Sequence, residues 1–296
     1  MLWQKGRRSD NVVDGGTGSD SGGGGGGGGF GGRGLGLGGM VILAILGLVF
    51  FKDPTALLGQ GEPGAPSAQV QQQQQPSKPL DTSDPQVDFV RAILGETEDT
   101  WTAIFAERGQ TYEKPKLSLF RNGVRTACGS ASSAVGPFYC PADHKVYLDL
   151  GFFQQMQSQF HESGDFARAY VIAHEVGHHV QNLIGVFDKV GEARKRGASL
   201  EGATGLSVRQ ELQADCFAGV WANKSQQRKQ WMQPGDVESA INAATAIGDD
   251  SLQEQSRGRV VPDSFTHGTS AQRVKWFKAG LESGDMGKCN TFAGNL

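Results

Sequence analysis

Hydrophobic patterning divides the chain into two regimes near position 84. In the first, one block stands out. Residues 35–51, Leu-Gly-Leu-Gly-Gly-Met-Val-Ile-Leu-Ala-Ile-Leu-Gly-Leu-Val-Phe-Phe, run without a charge, close to the minimum length for a membrane-spanning helix. In the second, apolar positions recur in periodic blocks. Residues 84–109 place Phe89, Val90, Ile93, Leu94, Trp101, Ile104 and Phe105 near helical spacing, which predicts a core helix. Residues 116–120 alternate like a strand, Asn122-Gly123 signals a turn, 124–127 can return as a second strand, and 146–150 read as a third. A small antiparallel sheet is therefore expected. Helices are predicted over 151–160, 165–184, 188–196, 206–221, 234–248 and 270–282, with loops at 161–164 and 197–205 and a polar connection at 251–261. The fold class is α+β, mainly helical.

Composition changes the picture at the amino-terminal end. Half of the 44 glycines precede position 84, including an unbroken run at 22–29. Residues 1–34 are predicted to be a disordered glycine-rich arm, 35–51 a transmembrane signal-anchor, and 52–83 a Gln/Pro-rich stalk. Residues 84–296 are long enough for one domain with a substantial core. Lys5, Arg7, Arg8 and Arg33 precede the apolar block. The positive-inside rule then puts the amino terminus in the cytoplasm and the domain in the periplasm or outside the cell. A cleaved signal peptide fits less well, because a 34-residue lead is long and no Ala-x-Ala site follows. The net charge of −3 with no basic cluster argues against a nucleic-acid partner.

Four cysteines, Cys128, Cys140, Cys216 and Cys289, all fall in the domain, and an even number suits an oxidising compartment. Three pairings are open. Cys128 with Cys140 is the local choice, which leaves Cys216 with Cys289. With no close Cys-x-x-Cys pair, a four-cysteine zinc site is disfavoured.

The candidate chemistry sits on the 165–184 helix. His174-Glu-Val-Gly-His178 puts two imidazoles one turn apart on one face, where they can hold one Zn²⁺. Glu175 can reach a metal-bound water as general base. The alternative is a buried helix with two satisfied core histidines. His179 points about 100° away round the helix and cannot share the metal. His144 and His161 read as loop residues.

A catalytic zinc takes three protein ligands. Glu211-Leu-Gln-Ala-Asp215, on the next substantial helix, offers two carboxylates on one face. Glu211 is the preferred third ligand; Asp215 would accept the ring N–H of a ligating histidine. The alternative is an exposed acidic pair balanced by Arg209. His267, in the loop before the last helix, is the candidate donor to the developing oxyanion, with a capping or core role as its alternative. Arg273 is a supporting residue beside it.

With these motifs in place, the chain resembles the gluzincin metallopeptidases. Within them, residues 84–296 resemble the bacterial neutral zinc metallopeptidase family. The resemblance is carried by Ala127-Cys-Gly, Gly136-Pro-Phe-Tyr-Cys-Pro, residues 171–181, Arg209-Gln-Glu-Leu-Gln-Ala-Asp-Cys-Phe-Ala-Gly and Thr266-His-Gly-Thr-Ser-Ala-Gln-Arg-Val-Lys-Trp-Phe. It implies a zincin-like domain with one zinc at His174, His178 and Glu211, and Glu175 as base. It also implies Asp215 in support of a ligand, and His267 polarising the substrate carbonyl. The expected function is a membrane-anchored zinc peptidase acting on peptides or proteins, held to the lipid bilayer through 35–51. The rivals are a tethered binding or scaffold protein with a structural zinc site, and an amidase acting on cell-wall stem peptides.

Overall fold

The computed structural model describes residues 1–17, 79–160 and 164–296. Six strands are described: β1 (Val12–Thr17), β2 (Lys116–Arg121), β3 (Gly123–Thr126), β4 (Gly129–Ser132), β5 (Phe138–Cys140) and β6 (Lys145–Asp149). The helices are α1 (Pro85–Glu107), α2 (Phe152–Phe160), α3 (Asp165–Leu183), α4 (Val186–Lys195), α5 (Leu206–Lys229), α6 (Asp236–Ala246), α7 (Asp249–Arg257) and α8 (Ser270–Ser283).

The main sheet runs β1-β2-β6-β5. Its side chains alternate as a two-residue period requires. Leu117, Leu119, Val146 and Leu148 face the helical core, while Phe120 and Tyr147 face the other way, onto Val124, Cys128 and Phe138. The sheet is mixed rather than antiparallel: β1–β2 and β2–β6 are parallel, and only β5–β6 is antiparallel. The Asn122-Gly123 turn exists, with Asn122 at φ 67°, but it does not return β3 onto β2. Instead β3 pairs with β4 in a separate hairpin. The strands that flank β2 come from far along the chain, while its faces are buried by the helical core on one side and by Val124, Cys128 and Phe138 on the other.

One of those partners corrects the expected arm. Residues 1–17 do not belong to a structureless tail; β1 is an edge strand of the main sheet, with Val12 opposite Leu117 and Val13 opposite Ser118. Composition averaged over 1–34 hid the apolar and charged residues at its start. Ser9 Oγ and Asn11 Nδ2 donate to Glu98 Oε1 at 2.6 and 2.8 Å, and Arg7 Nη2 to its Oε2 at 2.6 Å. Glu98 is buried in the middle of α1. Arg8 meets Asp88, and the amino-terminal ammonium meets Asp236 at 3.1 Å. The predicted remainder of the arm (18–34), the apolar block (35–51) and the stalk up to residue 78 lie outside the described residues. Among the described residues, no helix is long and apolar enough to cross a membrane.

The helical predictions hold with shifted ends, and with one addition. The expected polar connection at 251–261 is largely helix α7. Asp165 is the first residue of α3, after Gly164 as N-cap; its carboxylate accepts from Trp3 Nε1 instead of capping the helix. Both favoured cysteine pairs are joined, Cys128 to Cys140 and Cys216 to Cys289. Two glycines set the helix spacing that builds the site. A Cβ on Gly177, between the motif histidines, would press on the Ala214 backbone at 3.0 Å, so α3 and α5 approach closely there. A Cβ on Gly280 would collide with the Cys216 carbonyl, and that close approach brings α8 onto α5.

Candidate metal centre

The close approach of α3 and α5 brings the two motif histidines to one carboxylate. His174 Nε2 lies 3.1 Å from Glu211 Oε2, and His178 Nε2 lies 3.5 Å from Glu211 Oε1. One ligand atom from each of the three residues falls within 4.8 Å of the others. Donors on a tetrahedral zinc at ordinary bond lengths sit roughly 3.3 Å apart. The two separations, each to a different oxygen of Glu211, lie close to that value, and two imidazoles with a carboxylate are a donor set that zinc takes.

Asp215 takes the supporting place. Its Oδ1 meets His174 Nδ1 at 2.8 Å, on the side of the ring away from Glu211. The same carboxylate accepts from Tyr170 Oη at 2.5 Å and from Arg273 Nε and Nη2 at 3.0 and 2.9 Å. With its oxygens so engaged, Asp215 holds His174 in the tautomer that offers Nε2 to a metal. Arg273 therefore neutralises a buried acid, and its guanidinium is itself buried.

Electrostatics agree with this division. Burial alone would raise the Glu211 carboxyl, but the His178 and His174 rings outweigh it and hold it well below the usual carboxylate range. Burial also works to raise Asp215, and Arg273 and His174 pull it down instead. Burial works against a charged His174; Asp215 and Glu211 prevail and lift that imidazole to about 10. Glu175 behaves oppositely. Burial dominates the histidine charges and pushes its carboxyl up, which suits a group that shuttles a proton.

Glu175 and His267 line one cavity of about 170 Å³ together with His174, His178 and Glu211. The remaining wall is largely apolar: Pro137, Phe138, Phe152, Val171, Phe187 and Leu252. His267 is therefore in the site, and its position depends on a residue the sequence reading passed over. Asp249, at the start of α7, is fully buried, and its Oδ2 accepts from the backbone N–H of Thr266, His267 and Gly268 at 2.7, 2.6 and 3.0 Å. Its Oδ1 faces His267 Nδ1 at 3.2 Å; burial works to lower the ring, and Asp249 and Glu211 together outweigh it and raise the ring from its ordinary pKa. The signal was present as acids opening a helix after Gly248, a pattern of helix starts. Replacing Asp249 by Ala removes the acceptor for three buried N–H groups, each costing about 1–3 kcal/mol if left unpaired. Hydrolysis should fall about tenfold or more with zinc content unchanged; full activity in Asp249→Ala, beside a disabled His267→Ala, would show that the loop needs no such brace.

Tyr170 was also passed over, although it lies one turn before His174 on the same face. His179 keeps out of the site, as expected, with Nδ1 on Tyr139 Oη at 3.0 Å and Nε2 on the Glu113 carbonyl at 2.7 Å. Burial lowers it to about 4. An imidazole depressed from 6.5 stabilises the fold fully above pH 6.5 and loses that contribution as pH falls towards 4. The melting temperature should drop across that window, and His179→Gln should flatten the drop. His144 is a half-exposed loop residue near Glu113, as expected, while His161 lies outside the described residues.

Comparison with known proteins gives the family. The family described as "Putative neutral zinc metallopeptidase" matches residues 1–292, which includes β1. "Uncharacterized protein YpfJ" of Escherichia coli K12 is 48% identical over 298 residues, covering 100% of both chains. "Uncharacterized protein Mb2605" of Mycobacterium bovis is 45% identical over 215 residues, covering 69% of this chain and 71% of its own. "Uncharacterized protein Rv2575" of Mycobacterium tuberculosis matches to the same extent. No solved structure matches the chain. A family match across nearly the whole length, on a chain whose two histidines and glutamate converge at zinc spacing, makes this protein a member of the neutral zinc metallopeptidase family.

Proposed function

We propose that the chain is a zinc-dependent peptidase that hydrolyses peptide bonds with a metal-activated water. The observation that carries this is the shared cavity: Glu175 and His267 both open onto the space beside the His174–His178–Glu211 cluster. A structural zinc site needs neither. Zinc, when bound there, supplies Lewis acidity to a water and to the scissile carbonyl. Glu175 takes the proton of the attacking water and returns it to the leaving amine. His267, braced by Asp249, donates a hydrogen bond to the carbonyl oxygen as charge develops on it. No serine or cysteine nucleophile takes part, so no acyl-enzyme forms.

The substrate lies along β5. That strand is an edge of the main sheet, and its Phe138 and Tyr139 line the cavity. An extended peptide can pair with such an edge through its backbone, and the apolar wall favours bulky apolar side chains beside the cut. The two disulfides support an oxidising compartment outside the cytoplasm.

The test uses the whole chain loaded with zinc, against unfolded proteins, a peptide panel and cell-wall stem peptides. Hydrolysis should vanish on chelation and return with added zinc. A zinc-loaded chain that cleaves nothing in the panel would support a binding role in its place.

A further inference from the structure

We propose that Gln181 is the positioning residue of His178, and that the carboxyl-terminal segment sets its grip through Gln213. This rests on the zinc reading above. Asp215 meets His174 Nδ1, but among the described residues no carboxylate plays that part for His178. Its Nδ1 meets the amide oxygen of Gln181, one turn further along α3, at 2.9 Å. The orientation of that amide is not free. Gln181 Nε2 donates to the Gln210 carbonyl at 2.7 Å and to Gln213 Oε1 at 3.1 Å, so its oxygen is left for the imidazole. Only an acceptor faces Nδ1, so that nitrogen carries the proton, and Nε2 keeps its lone pair towards Glu211.

Gln213 is oriented in turn by the Cys289 carbonyl, which its Nε2 reaches at 2.9 Å. Cys289 is joined to Cys216 on α5, and Thr291 Oγ1 donates to the Arg209 carbonyl at 2.5 Å. The carboxyl-terminal segment thus clamps the helix that carries Glu211 and, through two glutamines, the helix that carries the histidines. Both glutamine side chains are buried and each of their polar atoms is bonded, a costly arrangement for amides that serve only packing.

The measurement is zinc affinity by chelator competition on the full chain, with long-range ¹H–¹⁵N spectra of the histidine rings. Gln181→Met keeps the length and removes both the acceptor and the donor. It should weaken zinc retention about 10–100-fold and disturb the His178 tautomer while leaving His174 unchanged. Gln213→Met, which leaves Gln181 in place, should give a smaller loss in the same direction and serves if Gln181→Met does not fold. Zinc retention equal to the parent in the folded variants overturns the proposal but spares the metallopeptidase reading. A parent chain that binds no zinc overturns both.

A second inference rests on the opposite end of the chain. We infer that the amino terminus and the metal centre lie on one side of any bilayer the chain meets. β1 belongs to the same sheet as β2 and β6, and Glu98 in α1 is held by Arg7, Ser9 and Asn11. A single crossing between residues 17 and 79 would put those partners in different compartments, and exchange of β1 between two copies would not remove the conflict. Residues 35–51 form one apolar block, enough for one crossing and not two. The arrangement with a cytoplasmic amino terminus and an external domain is therefore replaced by one with both on the same side. Asp10, whose side chain is 96% exposed, and the exposed Arg259 give reporter sites. In cells making full-length Asp10→Cys or Arg259→Cys, an impermeant maleimide should modify both or neither before permeabilisation, and both after it. Gln4→Cys replaces Asp10→Cys if that variant is unstable. Modification of one end while the other is protected overturns the inference.

Discussion

Glu175→Gln should bind zinc as tightly as the parent and hydrolyse peptides about 10²–10⁴-fold more slowly, the usual worth of a positioned general acid–base group. The expectation follows from where Glu175 sits. It lines the cavity but is outside the His174–His178–Glu211 cluster, so the ligand set survives its neutralisation. Its carboxyl is raised by burial, which strengthens it as a base in the ionised form. Glutamine keeps the size and loses the basic oxygen pair. Zinc content by metal analysis and turnover on one peptide decide the matter together. Unchanged turnover would remove Glu175 from the chemistry.

Removing residues 1–17 should abolish cooperative folding. That cut leaves Glu98, 1% exposed, with Lys114 at 3.9 Å as its one remaining basic partner among the contacts described. Breaking a buried ion pair from one side costs about 3–5 kcal/mol, and here two further hydrogen bonds go with it. It also exposes the apolar edge of β2, where Leu117 and Leu119 are buried. Against a net stability of about 5–15 kcal/mol for an ordinary domain, these losses are decisive. Truncations should be compared by thermal melting: one beginning at residue 79 should show no sharp transition. A truncated chain melting within a few degrees of the parent would mean that β1 is dispensable.

Legibility followed the range of each signal. The helices were readable because a 3.6-residue period is local, and the two histidines of the candidate metal centre because the His-Glu-x-x-His spacing puts them on one helical face. Glu211 could be preferred over Asp215 on chemistry, and the structure supplies the geometric reason: Asp215 faces the far nitrogen of His174. The supporting residues were harder. Tyr170, Gln181, Gln213 and Asp249 are ordinary polar residues whose roles depend on partners 17 to 76 positions away. Sheet order was unreadable for the same reason, because β1 and β2 are separated by about a hundred residues. The amino-terminal strand shows the other failure. A glycine-rich average was applied to a segment whose first 17 residues carry charge, aromatic and β-branched positions that pair elsewhere.

The most direct test of the central claim is zinc per chain in the full-length protein, beside Glu211→Ala. The account predicts one zinc in the parent and a large loss in the variant, because Glu211 spans both histidines at 3.1 and 3.5 Å. Equal zinc in the two proteins, or none in the parent after incubation with the metal, would contradict it.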